Sequence, residues 1–239
     1  RNALRVLTFA GVHNIPVAMG ADHPLMRPSI FEEGVTEMVH GQSGLEGPAM
    51  PEPGFAPEKM SALQLLIKTI EESEEKITLV PTGPLTNIAA LFLVRPDLKE
   101  AASIVFNSGV PIVMAGLDVT HQAYITREEN EILRQKGGRI AVFAAELIDF
   151  FSRYHYEVEK LPGCTIHDAC AVAYLCHPEI FVEKQCHVDI ELEGSLTAGT
   201  TVCDPGNYEG KEKNATVLYG VDREKFAELF IEAMSKLDK

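Results

Sequence analysis

The chain has 239 residues, 46% of them hydrophobic, and a formal net charge of −14. This length supports one large core, so a single domain spanning 1–239 is expected. The charge argues against nucleic acid, whose phosphates it would repel, and against anionic membrane surfaces.

No apolar run reaches the roughly 18 residues of a membrane-spanning helix. No signal-like apolar segment opens the chain at Arg1. Five cysteines, an odd number, point to reduced thiols in a cytoplasm.

In chain order, Asn2 to Ala10 reads as a helix and Ile15 to Met19 as a strand. A loop rich in Gly and Pro spans Gly41 to Pro57, where four prolines forbid regular structure. Leu63, Leu66, Ile67 and Ile70 recur at helical spacing before an apolar strand from Ile77 to Val80. Asn87 to Val94 reads as a helix, Pro96 to Val105 as a further one, and Val110 to Met114 as a buried strand. Arg139 to Tyr154 is helical, His187 to Leu192 and Thr216 to Tyr219 are strands, and Asp222 caps a last helix to Leu237. Strands alternating with helices imply an α/β fold with an open, mostly parallel (mixed) sheet covered on both faces.

The most informative run is Val80-Pro81-Thr82-Gly83-Pro84-Leu85-Thr86-Asn87-Ile88. It joins a strand end to a helix start, where ligands collect in open α/β sheets. Pro84 lacks an N–H and Gly83 permits an unusual backbone angle, so the turn can leave the Thr82 carbonyl unpaired. Turn chemistry alone describes an ordinary β–α turn capped by Thr86.

Cys164, Cys170, Cys176 and Cys186, with His167, His177 and His187 nearby, raise the question of zinc. They contain no Cys-x-x-Cys pair, and positions 170 and 176 would stand about 240° apart on a helix. Small buried hydrophobes describe these cysteines better. Ser43 lies in Gly-Gln-Ser-Gly-Leu, which fails the Gly-x-Ser-x-Gly elbow, and no dinucleotide or Walker loop occurs.

Four ordered segments carry a resemblance. They are the Val80 run, His40-Gly41-Gln42-Ser43-Gly44-Leu45, Ser108 to Thr120, and Ile166-His167-Asp168-Ala169-Cys170-Ala171-Val172-Ala173-Tyr174. Together they resemble the inosine–uridine nucleoside hydrolase family nearly end to end.

The resemblance implies a Rossmann-like nucleoside hydrolase fold. It also implies calcium-dependent cleavage of ribonucleosides to ribose and free base, and a homodimer or homotetramer. It implies that Asp168 binds calcium and a ribose hydroxyl, that the Thr82 carbonyl is a second metal ligand, and that His40 meets the nucleobase. His167 is then the catalytic group beside the base, and a Tyr or His among Tyr154, His155 and Tyr156 lies over it.

The residues alone leave blander roles open: a helix N-cap for Asp168, a loop histidine with a structural hydrogen bond at His167, and a loop histidine with no function at His40. Two departures stand out. Ala169 replaces the usual Pro after His-Asp, and Glu46 stands where relatives often carry Asp or Gly.

The family places a strand, a Gly-rich turn and an Asn/Glu/Asn cluster between the Ile77 and Val110 strands. It also places a strand with an aspartate cluster ahead of the position of Arg1. We therefore expect the chain to lack its amino-terminal strand and an internal segment near 100–101. The alternative is a catalytically inactive relative that binds nucleoside or ribose.

Overall fold

The computed structural model describes residues 1–24, 35–94, 103–106, 109–197 and 199–237. Its amino-terminal part holds α1 (Asn2–Ala10), α2 (Val35–His40), α3 (Ala62–Glu72), α4 (Thr86–Val94) and α5 (Ser103–Phe106). Ser61 and Gln64 close a reciprocal capping box at the start of α3. Then come β1 (Val113–Met114), α6 (Leu117–Thr120), β2 (Tyr124–Ile125), α7 (Arg127–Lys136) and α8 (Arg139–Tyr154). A π-helical turn, His155–Glu159, extends α8 and leads to β3 (Cys164–Thr165) and α9 (His167–Cys176). The chain closes with β4 (Phe181–Ile190), β5 (Thr201–Asp204), β6 (Ala215–Val221) and α10 (Arg223–Lys236).

The main sheet has the order β1-β6-β4-β5, with β1 parallel to β6 and the other two pairings antiparallel. It is an open mixed sheet. β6 shows why both faces are covered: successive side chains alternate sides. Leu218 joins Val119, Cys170, Phe181 and Phe226 in one core, while Ala215 and Val217 join Phe106, Cys186 and Val188 in another. A third cluster, with Leu133, Ala141, Ala145, Ile148, Cys164 and Ile231, ties α7, α8, β3 and α10 together. Cys164 and Cys170 sit in these cores, where burial pushes their thiols up to about 12 and about 11.

Several expected elements differ. Ile15 to Met19 forms only a single parallel bridge, Met19 to Ser61, and Ile77 to Val80 forms no ladder among the described residues. A strand needs a partner for its backbone groups, and these segments remain at the surface, with Met19 73% exposed. The Val110 strand shrinks to β1, and Val113 is exposed rather than buried. β4 begins at Phe181, earlier than expected, because Phe181 to Cys186 pairs with β6 across a bulge at Val182/Glu183. Ser103–Phe106 is helical, whereas the rest of the helix expected from Pro96 to Val105 and the possible break near 100–101 lie outside the described residues.

Asp222 caps α10, accepting from the Lys225 amide at 3.2 Å. Next to it, Arg223 Nη1 lies 2.7 Å from both carboxylate oxygens of Glu129, which also closes the capping box of α7 with Thr126. This contact pins the last helix to the start of α7, beside the β2–β3 pair. It thereby buttresses the segment that carries His167.

Candidate active site

A cavity of about 710 Å³ opens between α1, α2, α8 and the start of α9. Thr82, His40, His167 and Asp168 all line it, although they come from widely separated parts of the sequence. Its walls are otherwise mainly apolar, with Phe9, Phe143 and Phe151 among them.

Asp168 is not an N-cap. α9 begins one residue earlier, at His167, and Ile166 occupies the cap with no side-chain bond. Asp168 therefore stands in the first turn, where the helix dipole favours a carboxylate. It is exposed at the cavity and has no hydrogen-bond or ion-pair partner among the described residues. The helix start survives Ala169, as expected of a strong helix former.

Thr82 also lines the cavity, and its carbonyl accepts no hydrogen bond among the described residues. Gly83 does not reach a left-handed angle, so Pro84 and the geometry before α4 suffice for this turn. Thr86 is the first residue of α4 rather than its cap.

His40 ends α2 instead of opening a loop, and its ring stacks on Phe151 with centroids 5.0 Å apart. The loop after it turns through Gly41 (φ 72°) and Gly44 (φ 74°), angles that favour glycine. The Glu46 side chain folds over Gly41 and reaches the cavity, so this departure from the family pattern closes the loop on itself. Gly41 to Pro57 carries no helix or strand.

His167 is held from both edges. Its Nδ1 lies 2.8 Å from Thr120 Oγ1 and its Nε2 lies 2.8 Å from Thr165 Oγ1. Thr165 Oγ1 also lies 2.7 Å from His155 Nε2. Backbone geometry aligns these groups: β3 pairs with β2, and the Ile166 amide donates to the Ala123 carbonyl at 2.8 Å. The π-helical turn after α8 points His155 inward, where it is 2% exposed. Such turns recur at functional sites. Burial, and then the neighbouring His121, hold the His167 pKa below its ordinary value; burial is also the main cause at His155.

Tyr154, His155 and Tyr156 do not line the cavity. His155 is buried behind Thr165, and Arg127 lies over the Tyr156 ring at 4.4 Å. Phe150 and Phe151, about one turn before His155, are the aromatic groups that reach the cavity from this region.

Sequence reading missed Thr120, Thr165 and Phe151. For Thr165 a signal existed: it precedes His167 by two residues, a spacing that puts both on one side of an extended chain. The contact of Thr120 with His167 spans 47 residues, and no local pattern encodes it.

Calcium takes about six to eight oxygen ligands. Asp168 and Thr82 offer two, and among the described residues no group of three His, Cys, Asp or Glu could hold a metal ion. These residues alone do not fit the ion.

Comparison with known proteins gives a consistent result. The sequence profile described as inosine-uridine preferring nucleoside hydrolase matches residues 1–101 and 99–228. The pyrimidine-specific ribonucleoside hydrolase RihA of Citrobacter koseri is 42% identical, over 98% of this chain and 84% of its own. The Shewanella baltica protein of the same name is also 42% identical, over 99% of this chain and 83% of its own. A purine-preferring ribonucleoside hydrolase from Gardnerella vaginalis superposes with a TM-score of 0.89 at 28% identity, covering 100% of this chain and 85% of that one. With the profile matching most of its length and relatives at this identity, the chain belongs to the inosine-uridine preferring nucleoside hydrolase family.

Proposed function

We propose that the protein hydrolyses the N-glycosidic bond of ribonucleosides to ribose and free base, with pyrimidine nucleosides preferred. The observation carrying this reading is the convergence of Thr82, His40, His167 and Asp168 on one cavity. The pyrimidine preference rests on relatives of that name at 42% identity, against 28% for the purine-preferring structure.

Cleavage passes through an oxocarbenium-like state, so the site must grip the ribose and stabilise the departing base. Asp168, exposed and without a partner among the described residues, is placed to accept from ribose hydroxyls. His40, backed by Phe151, offers a stacking face to the base. His167 acts on the leaving base as proton donor, a role worth about 10²–10⁴-fold in rate.

Thr82 and Asp168 would supply two of the oxygen donors a calcium ion needs, and the rest would have to come from other groups. Assembly as a homodimer or homotetramer and a cytoplasmic location also belong to this reading. The location is supported by five cysteines, none of them in a disulfide.

An internal segment near 100–101 is proposed to be lacking relative to the family. The profile matches in two stretches meeting at 99–101, and alignment with the Citrobacter relative runs over 267 positions against 239 residues here. Sequencing the encoding gene across this junction tests that point.

The function is tested by comparing uridine, cytidine, inosine and a nitrophenyl riboside with wild-type protein and His167→Ala. Uridine and cytidine should exceed inosine in kcat/KM, and His167→Ala should slow the nucleosides while sparing the nitrophenyl riboside, which leaves without help. Equal slowing of all substrates would contradict the acid role.

A further inference from the structure

The hydrogen bonds around His167 can be counted. A hydroxyl has one proton, so Thr165 donates to only one of the two imidazole nitrogens that approach it at 2.7 and 2.8 Å. The other imidazole must donate to Thr165. His155 decides which.

Its Nδ1 is buried and has no hydrogen-bond partner among the described residues. A proton there would leave a buried N–H unsatisfied, a rare and costly arrangement. Its Nε2, in contrast, faces Thr165 and lies 3.6 Å from the Glu159 carboxylate, which favours an N–H over a lone pair. The His155 proton therefore sits on Nε2 and is donated to Thr165. The Thr165 hydroxyl must then point at His167 Nε2, which accepts. The one proton of neutral His167 is left on Nδ1, donated to Thr120.

We infer that His155 and Thr165 are positioning residues that set the tautomer of His167, holding its proton on Nδ1 and its ring fixed at the cavity wall. The inference deepens the hydrolase reading and rests on it for its catalytic meaning: neutral His167 keeps its Nδ1 proton on Thr120, so it donates to a leaving base only as the imidazolium, by taking a proton from solvent at Nε2 and returning to the Nδ1–H form when that proton passes to the base. Holding a catalytic ring on both edges before substrate arrives is preorganisation by supporting side chains.

The test uses the full chain labelled with ¹⁵N-histidine at about pH 8, where imidazoles of ordinary pKa, about 6.5, are neutral. Long-range proton–nitrogen correlations report the tautomer of each ring, with His155→Gln and His167→Gln identifying the signals. His167 should show the Nδ1–H pattern and His155 the Nε2–H pattern.

Thr165→Val should shift His167 toward Nε2–H and lower kcat on uridine about 10-fold or more with little change in KM. Thr165→Ser should restore both. An Nε2–H pattern at His167 in the wild type, or an unchanged His167 pattern in folded Thr165→Val, would overturn the inference. If Thr165→Val does not fold, the wild-type spectrum still decides. The spectra are read without turnover, so a protein that hydrolyses no nucleoside would sink the hydrolase reading and leave the tautomer assignment standing or falling on its own.

Discussion

His40 lies over Phe151, with ring centroids 5.0 Å apart and planes inclined by 21°. The two residues come from different elements, α2 and α8, and meet at the wall of one cavity. A face supported from behind is well placed to stack on a planar base. His40→Ala should lower kcat/KM about 2- to 10-fold, the value of one aromatic contact of ~0.5–1.5 kcal/mol. Because His40 is exposed, the melting temperature should barely change. Unaltered kinetics with uridine would remove His40 from the base site.

Asp168→Asn should bring hydrolysis to background while the fold survives. Asp168 caps nothing, so its contribution to stability is limited to the helix dipole, about 0.3–1 kcal/mol. Kinetics and a thermal melt on the same preparation check this. Near-wild-type turnover would leave the free carboxylate without a role.

Acid should destabilise the protein through its buried imidazoles. His155 and His167 both have lowered pKa values, with burial the largest cause. In the unfolded chain they titrate near about 6.5. As pH falls below that value the unfolded state takes up protons that the folded state resists, so stability is lost until the folded values are passed. Above it both states are neutral at these sites and the contribution is flat. Melts between about pH 8 and pH 5 should show this decline, and His155→Gln should make it shallower. An unchanged slope in that variant would contradict the assignment.

Local chemistry made part of this molecule legible in its sequence. Arg139 to Tyr154 is a helix from end to end because its apolar residues recur at helical spacing, and Asp222 caps α10 by its own side chain. Ile77 to Val80 reads equally well as a strand, but a ladder depends on a neighbour that no local pattern specifies. The same limit holds at the site. His167 and Asp168 stand out through their motif, whereas Thr120 and His155 reach His167 only through tertiary packing. Asp168 also reads as a cap because helix starts are uncertain by a residue or two, and here that shift converts a capping group into a free carboxylate.

The most direct measurement is the stoichiometry of products when purified protein is incubated with uridine, with ribose and uracil quantified together before and after chelation. Equal amounts of ribose and uracil should form before chelation; loss of turnover on chelation and its return with calcium would place the ligands for the ion beyond Thr82 and Asp168. Uridine that binds but remains intact in the presence of calcium would contradict hydrolysis and leave a nucleoside-binding protein in its place.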